Sequence, residues 1–240
     1  MTTQDFVLHP ANERGHANHG WLDSYHTFSF ADYYNRERVH FGVLRVLNDD
    51  IVKGGGGFGL HPHDNMEIIT IPFYGELEHK DSMGHTEVIR ADEIQVMSAG
   101  TGLMHSVYNK NADADVNLAQ IWIFPNQRNV EPRYAQKAFA VEGRHNILQM
   151  ILSPDGEQGS LWIHQDAWFY RTAMDAGTKL QHSVKREGNG VYVFVVEGSV
   201  TVNGQTLSKR DGIGIRNCTS IDLQAESDCE CILMDIPMST

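Results

Sequence analysis

The chain has 240 residues, of which 41% are hydrophobic and 21% are charged, a composition typical of a soluble globular protein with one large domain or two modest ones. A net charge of −12 argues against a nucleic-acid surface, which needs clustered lysine and arginine. No apolar run is long enough to cross a bilayer, and the first residues lack the basic and apolar regions of a signal peptide. We therefore expect a cytoplasmic protein that binds neither nucleic acid nor membrane directly.

The three cysteines, Cys218, Cys229 and Cys231, all lie near the C-terminus. Their odd number and late position predict reduced thiols instead of a disulfide framework, in agreement with a cytoplasmic location. Thirteen histidines are the compositional excess that needs a functional explanation. His16, His19 and His26 lie among aromatic residues in a segment without clean periodicity. For these three we favour hydrogen-bonded structural roles over metal ligation.

From Phe41 onward the chain is predicted to form short strands separated by turns. Strands are predicted at 41–47, 68–74, 93–97 and 117–124, and Asn48-Asp49-Asp50 predicts a turn after the first of them. Pro72 requires a sheet edge or a bulge in the second strand, because proline lacks the donor that a central ladder needs. The absence of a long amphipathic helix predicts an all-β fold with closed or sandwiched sheets.

The second half repeats this character after a polar connection at 127–132. Asn203-Gly204, between alternating residues, predicts a two-residue hairpin. Two pairs of segments match in the same order and register, 74–78 with 197–201 and 88–93 with 207–212. We therefore expect a duplicated β-domain, with an N-terminal copy at 1–130 and a C-terminal copy at 131–240. The second copy offers His182 but no paired histidines.

The candidate site of the first copy lies in the segment 59–67. His61 and His63 are two residues apart, so on a strand both imidazoles point to the same face. Glu67 has the same parity, and His105 lies further along the chain. Two imidazoles beside a carboxylate are a donor set for a divalent transition metal. The alternative is a polar barrel interior in which the histidines are satisfied by hydrogen bonds.

The glycines, histidines and acidic residues of this half resemble the two sequence motifs of cupins, which here fall on Gly55, His61, His63, Glu67 and Gly75, then Gly84, His105 and Asn109. The match to pirins is closer still, and closest to bacterial pirins of the quercetinase-like type. The segments that carry it are Arg14-Gly15, His19-Gly20-Trp21-Leu22, His26-Thr27-Phe28-Ser29-Phe30, Gly59-Leu60-His61-Pro62-His63, and Ala99-Gly100-Thr101-Gly102 with His105-Ser106. The resemblance covers nearly the whole chain. It implies a bicupin, that is, two tandem double-stranded β-helix barrels with a metal in the first and no metal ligands in the second.

Pirins hold their metal through the paired histidines, the later histidine and a glutamate two residues after it, which implies His61, His63 and His105 as ligands here. The glutamate position is Val107, and an apolar side chain cannot bind a hard cation. Three outcomes are open: three histidines with an open site, Glu67 as a replacement carboxylate, or a weak site without activity. The implied metal is iron(II), with nickel, manganese, zinc and copper as alternatives. If Glu67 is no ligand, it would orient an imidazole.

Two functions follow from the resemblance. One is an oxidoreductase of the quercetin 2,3-dioxygenase type, which deprotonates a flavonol or a related enediol or phenolic substrate for attack by O₂, with Glu67 as the candidate catalytic base. The other is a non-catalytic regulatory protein that binds a protein partner, with a structural, weak or absent metal. Val107 and the second copy without ligands favour this alternative, whereas retention of all three histidines argues against it. A sugar isomerase is supported by nothing beyond the metal motif.

Overall fold

The computed structural model describes residues 4–239 and consists almost entirely of β-strands. Among these residues the helical segments are three turns of 3-10 helix, Ala11–Glu13, Val141–Arg144 and Glu157–Gly159. The strands of the first half are β1 (Asp5–His9), β2 (Gly15–Asn18), β3 (Leu22–His26), β4 (Leu44–Val52), β5 (Gly57–His63), β6 (Glu67–Tyr74), β7 (Glu76–Asp81), β8 (Thr86–Arg90), β9 (Glu93–Ser98), β10 (Leu103–Asn109) and β11 (Val116–Ile123).

The second half continues with strands of similar length. They are β12 (Arg133–Ala138), β13 (Gln149–Ser153), β14 (Leu161–Trp162), β15 (Trp168–Met174), β16 (Lys179–Ser183), β17 (Asn189–Glu197), β18 (Ser199–Val202), β19 (Gln205–Ser208), β20 (Gly212–Arg216), β21 (Ser220–Ala225) and β22 (Cys229–Pro237). In the part of the chain that the structure describes, no helix has the length and apolar character needed to span a membrane.

Two pairs of sheets form two barrels with the same topology. The first pair has the strand orders β12-β9-β6-β11-β4-β3-β2 and β5-β10-β7-β8, and the second pair has the orders β1-β20-β17-β22-β15-β13-β14 and β16-β21-β18-β19. Adding eleven to each label from β4 to β11 converts the first arrangement into the second. The predicted all-β fold of two tandem barrels is confirmed, and so is the internal repeat.

The edge strands do not follow a division of the chain between residues 130 and 131. The first strand of the chain, β1, pairs with β20 in the second barrel, whereas β12, which follows residue 131, pairs with β9 in the first barrel. Each barrel therefore lends one edge strand to the other. Besides closing an exposed edge, this exchange ties the two barrels together through backbone hydrogen bonds.

Local features agree with most of the sequence predictions. Gly75 and Gly198 occupy the same turn in the two copies with φ of 84° and 74°, a left-handed conformation that favours glycine. Asn203 and Gly204 form the predicted hairpin turn between β18 and β19. Beside Pro72, in a central strand, the ladder between β6 and β11 shifts register, which is the predicted bulge.

The predicted turn at Asn48-Asp49-Asp50 is wrong. These three polar residues are buried in the middle of β4, paired with β3 on one side and β11 on the other. Polar residues form this strand because tertiary partners satisfy them: Asn117 Nδ2 donates to Asp49 Oδ1 at 2.8 Å, and Arg14 pairs with Asp49 at 3.3 Å.

The largest buried apolar cluster lies where the two seven-stranded sheets pack on each other. It combines side chains of the first barrel, such as Ile69 and Ile121, with side chains of the second, such as Phe194 and Ile232. A second cluster, mostly valine, leucine and isoleucine, fills the interior of the second barrel. Among residues 4–239, the interior of the first barrel carries two smaller clusters. This difference leaves space inside the first barrel.

Candidate metal centre

Three histidines meet inside the first barrel, on its four-stranded sheet. His61 and His63 lie on β5, and His105 lies on the neighbouring β10, directly opposite His61 in the strand register. One ring nitrogen from each of the three lies within 4.8 Å of the others. The structure therefore brings together the three residues that the sequence singled out.

The hydrogen bonds of the rings decide which nitrogen faces the cluster. His61 Nδ1 donates to the carbonyl oxygen of Gly59 at 2.7 Å, so its Nε2 is left to face the other two rings. Nε2 of His63 and Nε2 of His105 are 3.0 Å apart. Two imidazole nitrogens bound to one ion at about 2.0–2.1 Å have a similar separation, so the spacing fits a shared metal.

Burial keeps the rings of His63 and His105 neutral at physiological pH. It lowers the pKa of His63 to about 4, with a further contribution from His61, and that of His105 to about 2, with contributions from His61 and His63. A neutral imidazole offers the lone pair that a divalent transition metal binds. The donor set therefore suits such a metal without prior loss of protons.

A buried chain of polar side chains supports His105 from behind. Its Nδ1 lies 3.5 Å from His79 Nδ1, and His79 Nε2 lies 3.0 Å from Asp81 Oδ2. Because the carboxylate of Asp81 accepts a hydrogen bond from the N–H at His79 Nε2, His79 Nδ1 is the acceptor for the hydrogen bond from His105 Nδ1. This order fixes the tautomer of His105 that presents Nε2 to the cluster. His85 Nδ1 also contacts Asp81, at 2.9 Å.

Glu67 does not join the three imidazoles, and the expectation that it shares their face is wrong. Between His63 and Glu67 the strand is broken at Asn65, which has a φ of 44°, and Glu67 begins β6 in the other sheet. Its carboxylate accepts a hydrogen bond from Ser98 Oγ at 2.7 Å and one from the backbone N–H of His164 in the second half. A catalytic role for Glu67 stays a prediction. The location of Glu67 in the other sheet, away from the three imidazoles, does not support it.

Val107 lines the same cavity as the histidines, so the position of the family's fourth ligand faces the site. The ladder between β10 and β5 shifts register between His105 and Val107. Val107 packs with Trp21, Phe58 and the buried cluster around Leu22. Its side chain closes one flank of the site with an apolar surface and offers no ligand atom.

A cavity of about 680 Å³ opens over the histidines, within the range of small-molecule sites. Aromatic rings form much of its wall, namely Trp21, Phe30, Tyr33, Phe58 and Trp122. Trp122 also packs edge-to-face on His63 at 5.0 Å between ring centroids. An aromatic surface therefore leads from the mouth of the cavity to the three imidazoles.

The opposite wall, on the seven-stranded sheet, is polar and includes residues that the sequence did not single out as site residues. Ser24, Asn48 and Asp50 line the cavity together with His26. His16 and His26 are hydrogen-bonded, as predicted, and the structure shows that their partners are Asp23 and Asn48. That His16, His19 and His26 also border the cavity was not predicted. The unusual density of histidine in residues 16–26 was the available signal.

The family model described as Pirin matches residues 7–123, and the model described as Quercetinase C-terminal cupin domain matches residues 150–236. A protein of Escherichia coli named quercetin 2,3-dioxygenase is 48% identical over 96% of this chain and 98% of its own length. The chain belongs to the pirin family.

Two further relatives of this pirin bear on the site. The bacterial pirin YhhW of Escherichia coli, solved in complex with nickel(II), has a TM-score of 0.93 and 46% identity over 97% of this chain and 99% of that one. A pirin-like protein of Caulobacter vibrioides is 36% identical over 94% of this chain and 97% of its own length. Both cover the two barrels of this pirin, and the nickel complex shows that one close structural relative binds a divalent metal.

The second barrel of this pirin has a different interior. His182 Nε2 bonds to Asp235 Oδ2 at 2.8 Å, and Asp235 also accepts hydrogen bonds from the backbone N–H of Lys185 and from Asn189 Nδ2, both at 2.7 Å. His182 is thus committed to a buried network. Among residues 4–239, the one group of histidine, cysteine or acidic side chains arranged to hold a metal is in the first barrel.

Proposed function

We propose that this pirin is a metal-dependent oxidoreductase of the quercetin 2,3-dioxygenase type, acting on a flavonol or a related enediol or phenolic substrate. The observation that carries the proposal is the group of three imidazoles in a cavity of about 680 Å³ with aromatic walls. The identity of 48% to a relative named for this activity, over nearly the full length of both chains, supports it.

For the metal we propose iron(II), and nickel, manganese, zinc and copper are the alternatives that metal analysis distinguishes. Imidazole suits several of these ions, so the donor set selects a class instead of one element. The nickel(II) complex of the related bacterial pirin supports a divalent ion at the three histidines. We also propose that the protein acts in the cytoplasm, where its three free, buried cysteines stay reduced.

Residues at different positions in the cavity have different roles. His61, His63 and His105 would hold the ion, which when bound supplies a Lewis acid that lowers the pKa of a substrate hydroxyl. Trp122 and the other aromatic side chains hold a flat ligand and exclude water. Because Val107 contributes no donor, the three-histidine site keeps more open positions for substrate than one with a carboxylate ligand.

Anaerobic mixing of the metal-loaded protein with quercetin tests the proposal. We expect a shift of the flavonol absorption band on mixing and, after air is admitted, oxygen consumption with loss of the band. His63→Ala, loaded under the same conditions, serves as the control and should show neither change. Metal-loaded wild-type protein that neither shifts the band nor consumes oxygen would contradict the proposal.

A second candidate, a non-catalytic protein that binds a protein partner, is favoured by one observation, the apolar Val107 at the position of the family glutamate. Val107→Glu separates the two. If the wild-type protein turns over quercetin, it is an enzyme with three histidine ligands. If turnover is absent in wild type and appears in Val107→Glu, the natural chain has lost the activity and the binding function is the better conclusion.

A further inference from the structure

The polar wall opposite the imidazoles has hydrogen-bonding capacity that the protein does not use. Ser24 and His26 on β3 and Asn48 and Asp50 on β4 are each buried, with exposed fractions between 2% and 4%, and all four line the cavity. They belong to the seven-stranded sheet, whereas the three imidazoles belong to the four-stranded sheet. The two polar groups therefore face the same space from different walls.

His26 presents a free acceptor to the cavity. Its Nδ1 lies 3.0 Å from Asn48 Oδ1, and because an amide oxygen only accepts, Nδ1 carries the proton. Burial lowers the pKa of His26, so the ring is neutral and Nε2 holds a lone pair. In the described part of the chain, no side chain or backbone group bonds to this Nε2.

Asp50 presents a second free hydrogen-bond acceptor to the cavity. Ser24 Oγ donates to Asp50 Oδ1, and within residues 4–239 the other carboxylate oxygen has no hydrogen-bond partner. No cation pairs with Asp50 in this region, since Arg14 and Arg210 pair with the adjacent Asp49 on the other face of β4. Burial raises the pKa of Asp50 to about 7, against the hydrogen bond from Ser24. A buried carboxylate that faces a ligand cavity without a cation is a feature of binding sites.

The surroundings of the two acceptors are aromatic. The His26 ring lies 5.3 Å from the Phe30 ring and 6.4 Å from the Tyr33 ring, and both of these line the cavity. Phe30 packs edge-to-face on Trp122, which in turn contacts His63. A continuous aromatic surface therefore connects the polar wall with the imidazoles, as a flat ligand that contacts both would require.

We propose that Ser24, His26, Asn48 and Asp50 form a hydroxyl-binding subsite, in which Asp50 Oδ2 and His26 Nε2 accept hydrogen bonds from hydroxyl groups on the outer ring of an aromatic substrate. Ser24 and Asn48 hold the two acceptors in place by occupying their other polar atoms. The inference rests on the proposed function for the flavonol class of the substrate. The acceptors themselves select any flat aromatic ligand with a hydroxyl at the end away from the imidazoles.

The test compares two flavonols that share the metal-binding end. Kaempferol carries one hydroxyl on its outer ring and galangin carries none, and a single hydroxyl there cannot chelate the metal. We expect metal-loaded wild-type protein to bind kaempferol at least about tenfold more tightly than galangin, a difference of 1.4 kcal/mol. Asp50→Asn replaces one of the two free acceptors by an N–H donor and should lower this ratio by weakening the binding of kaempferol.

Asp49→Asn is the matched control, because Asp49 is a neighbouring aspartate of the same strand that faces the ion pairs with Arg14 and Arg210. It should keep the wild-type ratio. A wild-type ratio near one, or a ratio that Asp50→Asn leaves unchanged, would overturn the subsite. Turnover is measured in parallel: discrimination without turnover would overturn the proposed reaction and leave the subsite standing.

If neither flavonol binds, the substrate class is wrong and a smaller pair of probes decides the subsite. 4-Ethylphenol and ethylbenzene differ by one hydroxyl and are small enough to enter the cavity without reaching both walls. The subsite predicts that wild-type protein prefers the phenol and that this preference is weaker in Asp50→Asn. Equal binding of the two probes, or binding of neither, would overturn it.

Discussion

The two barrels have the same strand order, yet one is filled and the other is hollow. In the second barrel, β16 and β21 direct Leu180, Ile221 and Leu223 into a packed apolar core. In the first barrel, the corresponding strands β5 and β10 direct His61, His63 and His105 into a cavity of about 680 Å³. The same topology thus supports either a stabilising core or a polar site, and a few inward-facing positions on two strands decide which.

The contact between the barrels explains how one barrel can stay hollow. The outward faces of both seven-stranded sheets share one apolar cluster, and full burial of one such side chain contributes about 1.5–3 kcal/mol. Besides, each barrel holds an edge strand of the other. The second barrel and this interface supply stability that the interior of the first barrel does not have to provide.

The largest effect is expected when the hollow barrel is made to resemble the filled one. His105→Leu replaces the imidazole on β10, which we propose as a ligand, by a residue of the kind that faces inward from β21. Loss of one of three donors should weaken divalent-metal binding by well over about 100-fold, more than the 10–100-fold typical for loss of a supporting contact. Titration calorimetry with nickel(II) measures it. A near wild-type affinity in the folded variant would show that the histidines do not form the site.

A large-to-small substitution should lower the free energy of unfolding more in the filled barrel than in the hollow one. Leu223→Ala removes a fully packed side chain and should lower the free energy of unfolding by about 3–4 kcal/mol. Leu118→Ala removes an equally buried leucine that already borders the cavity, so fewer contacts are lost and the loss should be about half as large. Urea unfolding compares the two. Equal losses would mean that the first barrel is packed as tightly as the second.

A substitution of Glu67 tests whether this residue contributes to stability at the contact between the barrels or to catalysis in the first barrel. Burial raises its pKa to about 7 in the folded chain, whereas its ordinary value is 4.5. Between these two values the folded state therefore binds more protons at Glu67 than the unfolded state does. As a result, the free energy of unfolding falls as pH rises from about 4.5 to about 7, and this loss of stability is complete above pH 7. Glu67→Gln should remove about 3 kcal/mol of this pH dependence.

The measurement is a series of urea unfolding curves from pH 4.5 to pH 8 on both proteins. Asp50, with a raised pKa of its own, contributes a similar dependence to both and cancels in the comparison. Metal affinity and turnover of Glu67→Gln should stay close to wild type. A loss of turnover without a change in the pH dependence would instead establish Glu67 as the catalytic base.

The smallest effect concerns His79, which orients His105 from behind. His79→Phe keeps a ring in contact with Tyr134 but removes the acceptor for His105 Nδ1, and metal affinity should fall about tenfold. His85→Phe is the matched control. The imidazole of His85 also stacks on Tyr134 and hydrogen-bonds to Asp81, but it has no contact with His105. It should keep the wild-type affinity. Equal affinities in all three proteins would show that His79 has no positioning role.

Much of this arrangement could be predicted from residues alone. The repeat was visible because Gly75 and Gly198 mark the same turn, which requires a left-handed backbone. His61 and His63 were predicted to share a face because a strand repeats every two residues. The same rule gave the wrong face for Glu67, because residues two or four apart share a face only within one strand. The break at Asn65 places Glu67 in another sheet.

The remaining misses depend on long-range contacts that no local pattern contains. Asn48-Asp49-Asp50 has the composition of a turn, and it forms a central strand only because Asn117, Arg14 and Ser24 satisfy it from elsewhere in the fold. The pairing of β1 with the second barrel and of β12 with the first also depends on such contacts. The same limit hid Asp50 as a residue of the cavity wall.

The central claim is that one barrel holds a metal and its structural twin does not. Elemental analysis of freshly purified, untagged protein tests it most directly, with His63→Ala for the first barrel and His182→Asn for the second. The account predicts about one divalent metal ion per chain in wild type and in His182→Asn, and almost none in His63→Ala. Metal far below one per chain in wild type, or equal metal in wild type and His63→Ala, would contradict it.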